Sequence, residues 1–115
     1  MSRNRERAAR LGDNAPVFAA LGDPTRLRLV ARLCAEGPLS ITQLSEGAGV
    51  TRQAITKHLN SLADAGLARN RRNGRELIWE LETRRLETAR RCLDHISDQW
   101  EVAIGRLKAF VEKEP

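Results

Sequence analysis

Apolar residues recur with a helical spacing through most of the chain before Gly66. The stretch APVFAAL, residues 15 to 21, predicts a short helix that ends at Gly22. Asp23-Pro24 marks the start of the next helix, because an Asp side chain caps free backbone N–H groups and Pro suits the first helical position. This helix continues as far as Gly37-Pro38. The face that we expect it to bury consists of Leu27, Val30, Ala31 and Cys34.

Two further helices, joined by a turn that contains glycine, follow this break. Ser40 can cap the first of them, and Thr51 can cap the second, which extends to Ala65-Gly66. The residues that face inward are Ile41, Leu44 and Ala48 in the first helix, and Ile55, Leu59 and Leu62 in the second. Two short helices joined by a tight turn with glycine form the helix-turn-helix pattern.

After Gly66 the hydrophobic period changes from helical to alternating. The segment LARNRRNGRELIWEL has Asn73-Gly74 at its middle, and Asn-Gly is a strong hairpin signal because both turn residues then take a positive φ. In the second arm Leu77, Trp79 and Leu81 alternate with Glu76, Ile78, Glu80 and Glu82. The pattern predicts a β-hairpin with one buried face and with Arg71, Arg72 and Arg75 at its tip.

The last segment, from Thr83 to Lys113, contains no proline and no clear break. Its apolar residues alternate steps of three and four, which is the heptad pattern of a helix that packs against another helix. These residues are Leu86, Ala89, Leu93, Ile96, Trp100, Ala103, Leu107 and Phe110. A stripe of this length exceeds what a small domain needs, so we expect all of them except Ala89 to form a homodimer interface. The alternative, in which the stripe covers only the chain's own core, remains open.

The element order predicts a mainly α fold with a small β-hairpin, namely a winged helix-turn-helix with a long C-terminal dimerisation helix. We expect residues 1–13 to be a basic N-terminal arm or the start of a helix, since Arg3, Arg5, Arg7 and Arg10 lie there. Residues 14–82 are predicted to form the DNA-binding domain, and residues 83–115 the dimerisation helix.

Long polar side chains occupy the face of the second helix-turn-helix helix that lies opposite its apolar stripe. In a major groove, Arg and Lys can donate to guanine, Gln or Asn can pair with adenine, and Thr can reach phosphates or a thymine methyl group. The candidate DNA-binding residues are Thr51, Arg52, Gln53, Thr56, Lys57, His58 and Asn60 in this helix, with Arg71, Arg72, Asn73 and Arg75 in the hairpin. Together they predict a sequence-specific regulator that binds a double-stranded DNA operator.

Composition supports this prediction. The chain of 115 residues has 20 Lys and Arg against 15 Asp and Glu, a formal net charge of +5, which favours an anionic partner. Aromatic residues make up only 3% of the chain, which argues against a binder that stacks single-stranded bases. There is no apolar stretch of signal-peptide or membrane-spanning length, so we expect a cytoplasmic protein without a membrane partner. No phosphate loop or nucleophile motif is present, so we expect neither catalysis nor a cofactor.

Three segments resemble the ArsR/SmtB family of bacterial transcriptional repressors: FAALGDPTRLRLVARL, SITQLSEGAGVTRQAITKHLNSLADAGL and RNRRNGRELIWEL. The resemblance covers residues 15 to 82 and, by topology, the terminal helix. It implies a dimer that binds a palindromic operator, usually represses its own operon and is released from DNA by an inducer. The family pattern places the recognition helix at Arg52 to Leu62 and the wing at residues 71–75, which are Arg71, Arg72, Asn73, Gly74 and Arg75.

The family's metal-site motifs are incomplete in this chain. The site in the helix before the turn uses Cys-x-Cys, but the stretch from Ile41 to Glu46 contains neither Cys nor His. The site in the terminal helix uses Asp-x-His and a further ligand, whereas here Asp94 directly precedes His95 and no other His follows. Zinc and arsenic sites need three or four ligands. We therefore expect no metal site, and an inducer of unknown chemistry if one exists.

Two alternatives to this interpretation are open. Some family members sense sulfur species through one cysteine in the second helix and one in the last, and Cys34 and Cys92 lie on the corresponding elements. However, Cys34 falls about one helical turn later than in those sensors, and a buried hydrophobic role is the commoner explanation for such a residue. The other alternative is a helical interaction module that binds no DNA, which would leave the arginines of the hairpin unexplained.

Overall fold

The fold consists of a helical domain with a small sheet, from which one long helix continues. The structure is a computed structural model that describes the backbone of residues 3–113 and the side chains of residues 12–113. The elements are α1 (Arg3–Leu21), α2 (Pro24–Glu36), β1 (Leu39–Ser40), α3 (Ile41–Ser45), α4 (Arg52–Asp64), β2 (Ala68–Asn73), β3 (Glu76–Leu81) and α5 (Thr83–Glu112). The predicted fold class, a winged helix-turn-helix with a long C-terminal helix, is confirmed.

The first helix is longer than the apolar pattern indicated. It begins at Arg3, continues through Pro16 and ends at Leu21, so its backbone includes the basic segment. The side chains of Arg3, Arg5, Arg7 and Arg10 lie outside the described residues. The division of the chain into residues 1–13, 14–82 and 83–115 stays a prediction.

The core lies between α1, α2, α3, α4, the start of α5 and the inner face of the sheet. The predicted stripe of α4 is confirmed, since Ile55, Leu59 and Leu62 are each 0% exposed. Burying a side chain of this size contributes about 1.5–3 kcal/mol, so this stripe is a main source of the domain's stability. The largest other fully buried side chains are Val17, Leu44, Leu67 and Trp79.

The buried face of α2 differs from the predicted one. Val30 is buried as predicted, together with Leu29 and Leu33, whereas the other three predicted residues are exposed, namely Leu27 (52%), Ala31 and Cys34. The prediction was wrong by one residue step around the helix, roughly 100°. Apolar residues occur on most sides of α2, so their spacing alone did not define one buried face. In the structure the leucine pair Leu29 and Leu33, spaced i and i+4, faces the core.

The sheet has three antiparallel strands in the order β1-β3-β2, and the sequence pattern had indicated only two of them. The additional strand, β1, consists of Leu39 and Ser40, paired with Trp79 and Ile78 of β3. A strand of two residues shows no alternation, so no pattern could reveal it. In β3 the alternation is confirmed, because Trp79 is buried and Leu77 and Leu81 pack against the core.

The hairpin turn lies one residue further along than predicted. Asn73 pairs with Glu76 at the end of the ladder, so the two turn residues are Gly74 and Arg75. Only Gly74 has a positive φ, of 64°, and no residue other than glycine has one in the described part of the chain. This agrees with a type II′ turn, which needs positive φ only at its first central residue, and not with the expected Asn-Gly type I′ turn.

The long helix α5 extends well beyond the domain. Its residues Ala89 and Cys92 are buried, and Leu86 packs against the core, but most later residues are exposed. The radius of gyration is 19.2 Å, whereas a compact domain of this length would have about 13 Å. None of the helices in the described residues is both long and apolar enough to cross a lipid bilayer.

Candidate nucleic-acid interface

Local hydrogen bonds fix the two helices that present the candidate interface. Oγ of Ser40 accepts from the backbone N–H of Gln43 at 3.1 Å, and the Gln43 side chain accepts from the backbone N–H of Ser40 at 2.9 Å. Oγ1 of Thr51 accepts from the backbone N–H of Ala54 at 3.1 Å and caps α4. These two caps, both anticipated from the sequence, define where α3 and α4 begin.

The outward face of α4 brings together most of the predicted recognition residues. Gln53, Lys57 and Asn60 are exposed on the side opposite the buried stripe, and Arg52 is exposed in the first turn, one turn before Ile55. Neither Arg52 nor Lys57 forms an ion pair with a described residue, so both charges remain available to an external anion. Thr56 is half-buried, and its hydroxyl donates to the backbone carbonyl of Arg52 at 3.0 Å. The methyl group of Thr56 therefore remains for a contact with thymine.

His58 lies apart from this face. Its Nδ1 is 3.8 Å from Oδ2 of Asp23 and 3.4 Å from Nη1 of Arg26, so the ring packs against the start of α2. Arg26 also donates from Nε to the carbonyl oxygen of Ala20 at 2.7 Å. From the sequence, His58 was predicted to be a DNA-binding residue, but its position against α2 does not support that role. The spacing in sequence could not show the contact, which joins residues 35 positions apart.

Asp23 is the acidic residue in this contact. Its Oδ2 accepts from the backbone N–H groups of Thr25 and Arg26 at 2.9 and 3.0 Å, as a helix cap. The hydrogen bond from the Arg26 N–H is the main cause that lowers the pKa of Asp23, and the nearby His58 and Arg26 charges lower it further. Partial burial opposes this effect without reversing it.

The arginines of the hairpin divide into two kinds. Arg69, near the base, donates to Glu80 and Glu82 at 3.0 Å each and thus helps to hold the strands together. Arg71, Arg72 and Arg75, at the tip, are exposed, and none forms an ion pair with a described residue. The register pairs Arg71 with Ile78 and Arg72 with Leu77, so alternation places the two arginines on opposite faces of the hairpin. Asn73 lies beside them at the end of β2.

The predicted interface residues of α5 also divide in two. Leu86 packs against the domain, whereas the five large residues further along the helix, Leu93, Ile96, Trp100, Leu107 and Phe110, are exposed. Ala103 lies on the same face and is half-buried. Ile104 and Val111, which were not among the predicted heptad residues, widen this exposed apolar face. Ile104 could have been identified from the sequence, because it lies four residues after Trp100 and therefore on the same side of the helix.

The two cysteines occupy different environments. Cys34 is exposed on α2, Cys92 is buried in α5, and both are free thiols. The expectation that Cys34 is a small buried hydrophobe was wrong, because α2 turns its Leu29 and Leu33 face inward instead. Among the described residues no group of three or more His, Cys, Asp or Glu side chains is placed to hold a metal ion.

The interface has the anatomy of a winged helix-turn-helix DNA-binding protein. A short capped helix and a glycine turn present α4, whose exposed polar face lies beside a hairpin with three unpaired arginines. A helix of this kind fits the major groove, and such a hairpin reaches the adjacent backbone.

Comparison with known proteins leads to the same class. A family model described as a helix-turn-helix domain matches residues 21–71. The HTH-type transcriptional regulator Rv2034 of Mycobacterium tuberculosis is 33% identical over 97 residues, 84% of this chain and 87% of that protein. The transcriptional repressor SmtB homolog of Synechocystis is 32% identical over 85 residues, 73% of this chain and 64% of that protein. An ArsR-like transcriptional regulator from Rhodococcus sp. RHA1 superimposes with a TM-score of 0.73 and 33% identity, over 90% of this chain and 97% of that one.

The chain belongs to the ArsR/SmtB family of winged helix-turn-helix transcriptional regulators. It is a DNA-binding transcriptional regulator and not an enzyme.

Proposed function

We propose that the protein is a homodimeric repressor that binds a palindromic operator upstream of its own operon. The observation that carries the proposal is the exposed apolar face of α5, on which Trp100 is 64% and Phe110 is 66% exposed. Large apolar faces on soluble proteins mark interaction sites. A face that follows a heptad along a helix suits a second copy of the same helix.

Symmetry connects this face with the DNA surface. A single winged helix-turn-helix reads one half-site, and a two-fold dimer reads an inverted repeat whose half-sites are one helical turn apart, or a multiple of it. The 30 residues of α5 span about 45 Å, which is long enough to hold two recognition helices apart on one DNA face. The name of the Synechocystis relative, a transcriptional repressor, supports repression as the outcome of binding.

The candidate residues have separate roles in this proposal. Arg52, Gln53, Thr56, Lys57 and Asn60 contact base edges in the major groove, with Thr51 near the backbone at the start of the helix. Arg71, Arg72, Asn73 and Arg75 contact phosphates or the neighbouring minor groove. His58 holds α4 against α2 rather than reading bases.

The test combines oligomeric state with DNA binding. Sedimentation should show a dimer at micromolar concentration, and footprinting on the intergenic DNA upstream of the gene should protect an inverted repeat. Trp100→Ala should weaken the dimer strongly, because removing a buried Trp side chain costs about 3–5 kcal/mol. Val102→Ala is the matched control, since Val102 is exposed but lies two residues on, near the opposite side of the helix. A monomeric wild type, or equal losses in both variants, would contradict the proposal.

We propose, as a second candidate function, a repressor that responds to oxidation through Cys34 and Cys92. Both thiols are free, and the exposure of Cys34 makes it reachable by an oxidant. If this candidate is right, Cys34→Ser should leave operator binding intact and abolish any loss of binding caused by oxidants.

A further inference from the structure

Nδ1 of the His58 ring faces two groups of α2 that place opposite demands on it. The nitrogen lies 3.4 Å from Nη1 of Arg26 and 3.8 Å from Oδ2 of Asp23. A guanidinium group can only donate hydrogen bonds, so a bond with Arg26 requires Nδ1 to be without a proton. A carboxylate can only accept them, so a bond with Asp23 requires a proton on Nδ1. The two contacts therefore exclude each other, and the proton on Nδ1 decides which one forms.

The described arrangement fits the neutral ring, with its proton on Nε2. Nδ1 is within hydrogen-bonding distance of Arg26, whereas its distance of 3.8 Å from Asp23 exceeds the length of a charge-assisted hydrogen bond, about 2.7–2.9 Å. A second proton, on Nδ1, removes the acceptor of Arg26 and adds repulsion between two cations. It also creates an attraction to the Asp23 carboxylate. Histidine is the side chain best suited to such a change, because imidazole gains and loses a proton between pH 5 and pH 8.

Both partners of the ring are fixed by backbone groups. Oδ2 of Asp23 accepts from the backbone N–H groups of Thr25 and Arg26 at 2.9 and 3.0 Å, and Nε of Arg26 donates to the carbonyl oxygen of Ala20 at 2.7 Å. The exchange of partners therefore has to be accommodated by the His58 ring and the helix that carries it. Reducing the distance between Nδ1 and Oδ2 from 3.8 Å to that of a charge-assisted bond takes a movement of about 1 Å.

Few other charges compete for this ring. Among the described residues, the ion pair and hydrogen bond of its side chain involve Asp23 and Arg26, and α1 contributes the carbonyl group of Ala20, which Arg26 holds. Lys57, the neighbouring charged residue of α4, is exposed on the outward face of the helix. The side chains of His58 and Asp23 are 25% and 31% exposed, so the ring can exchange protons with water.

We propose that His58 is a proton-operated switch that sets the position of α4 against α2. With a neutral ring, Arg26 holds α4 in the described position; with a charged ring, Asp23 draws α4 to a second position about 1 Å away. Binding groups have to be held within about 0.5 Å of their productive geometry, so protonation should lower the affinity for DNA. The inference rests on the DNA-binding role of α4, and it adds a dependence on pH.

The first experiment follows the proton by nuclear magnetic resonance without DNA. The chain has two histidines, so two sets of imidazole nitrogen signals appear, which His95→Gln assigns. At pH 8 the His58 ring should carry its proton on Nε2 and none on Nδ1. Between pH 8 and pH 5, the range in which imidazole titrates, the backbone N–H signal of Thr25 and the Nε signal of Arg26 should change together with the His58 ring. A neutral ring protonated on Nδ1, or α2 signals that do not follow His58, would overturn the switch.

The second experiment measures DNA affinity over the same pH range at constant ionic strength. The DNA is a duplex that the wild type selects in vitro at pH 8, so the test presumes neither a palindrome nor the chain's own operon. Dividing the wild-type affinity by that of His58→Gln, whose amide cannot take up the proton, removes the effect of other titrating groups. This ratio should fall severalfold from pH 8 to pH 5. A ring that only gained positive charge would strengthen binding to phosphates instead, so a rising or constant ratio would overturn the proposal.

The matched control is His95→Gln, which removes the other histidine, on α5. The wild-type affinity divided by that of His95→Gln should stay constant with pH. A fall equal to the one seen with His58→Gln would place the pH dependence elsewhere and overturn the switch. The first experiment follows the wild-type ring without DNA, so it decides the question even if the repressor function fails or His58→Gln is unstable.

Discussion

Nδ1 of His58, in the recognition helix, lies 3.8 Å from Oδ2 of Asp23, the residue that caps α2. Arg26 completes the contact, with Nη1 3.4 Å from the same His58 nitrogen and Nε bound to the carbonyl oxygen of Ala20 at the end of α1. These bonds join α1, α2 and α4 at one point. The orientation of α4 therefore depends on contacts made away from its exposed polar face.

The first prediction concerns the role of His58. His58→Ala should lower the free energy of unfolding by about 1 kcal/mol, because it removes a partly buried hydrogen-bonded side chain. The ratio of operator to random-DNA affinity should stay nearly unchanged. Denaturant unfolding and binding titrations measure the two effects. Asn60→Ala, an exposed change on the same helix, is the control that should spare stability and lower the ratio. Collapse of the ratio in His58→Ala with full stability would make His58 a base-reading residue.

The second prediction concerns pH. The pKa of Asp23 is lowered in the folded state, chiefly by the N–H of Arg26, so the folded state favours its ionised form. Its contribution to stability is present above its unfolded pKa, about 3.9, and is lost as the pH falls through the lower folded value. Asp23→Asn keeps an acceptor for the helix cap and loses the charge. Stability measured between pH 6 and pH 2 should therefore fall less steeply in Asp23→Asn than in the wild type. Parallel curves would contradict this assignment.

Much of the architecture was predictable because it depends on neighbours in sequence. Asp23, Ser40 and Thr51 were expected as caps and act as caps, since a cap needs only its own first turn. The stripe of α4 was predictable because polar residues surround it. In α2 the same reasoning failed, because apolar side chains lie on several sides and only the packing of other elements selects Leu29 and Leu33.

The candidate site was predictable as a surface but not as a set of contacts. The sequence identified an exposed polar face on α4 and an arginine-rich hairpin, both of which are present. The position of His58 beside α2 depends on Asp23, which lies 35 residues earlier in the chain. The two-residue strand β1, which pairs with Trp79, shows no pattern of its own. Such features arise from tertiary packing, which single-element patterns do not encode.

The third prediction concerns Gly66, which ends α4. Its φ is +77°, and an added Cβ would lie 2.6 Å from Cδ of Arg85. Gly47, which follows α3, has a φ of +68° but no atom within 4 Å of such a Cβ. Replacement by alanine should cost about 1–2 kcal/mol at either site, because of the positive φ. Gly66→Ala should cost more than Gly47→Ala, because the Arg85 side chain must also move.

The Arg85→Ala background tests this explanation of the difference. There the two glycine substitutions should become equally destabilising in thermal or denaturant unfolding. A difference that persists without the Arg85 side chain would show that another contact is responsible.

The fourth prediction concerns metals and rests on the sequence motifs. The segment from Ile41 to Glu46 offers no Cys or His, and His95 follows Asp94 without the family's spacing. One equivalent of zinc, cadmium or arsenite should leave operator affinity unchanged, because a tight site needs three or four ligands. Binding titrations with and without a chelator measure this, with the metal-free protein as reference. Release of the operator by one equivalent of metal would show that a ligand set was missed.

The last prediction separates the two halves of the DNA surface. Gln53 is exposed on α4, which enters the major groove in the proposed docking, whereas Arg72 lies on the hairpin, which contacts the DNA backbone in that proposal. Loss of a base contact should cost roughly 1–3 kcal/mol on the operator and little on random DNA, so Gln53→Ala should collapse the specificity ratio. Loss of a phosphate contact should weaken both complexes alike and flatten the salt dependence by about one unit, so Arg72→Ala should preserve the ratio. Affinities of both variants for operator and random duplex across a salt series provide the measurement. If Arg72→Ala loses only operator binding while Gln53→Ala weakens both duplexes equally, the two elements have exchanged roles and the docking geometry is wrong.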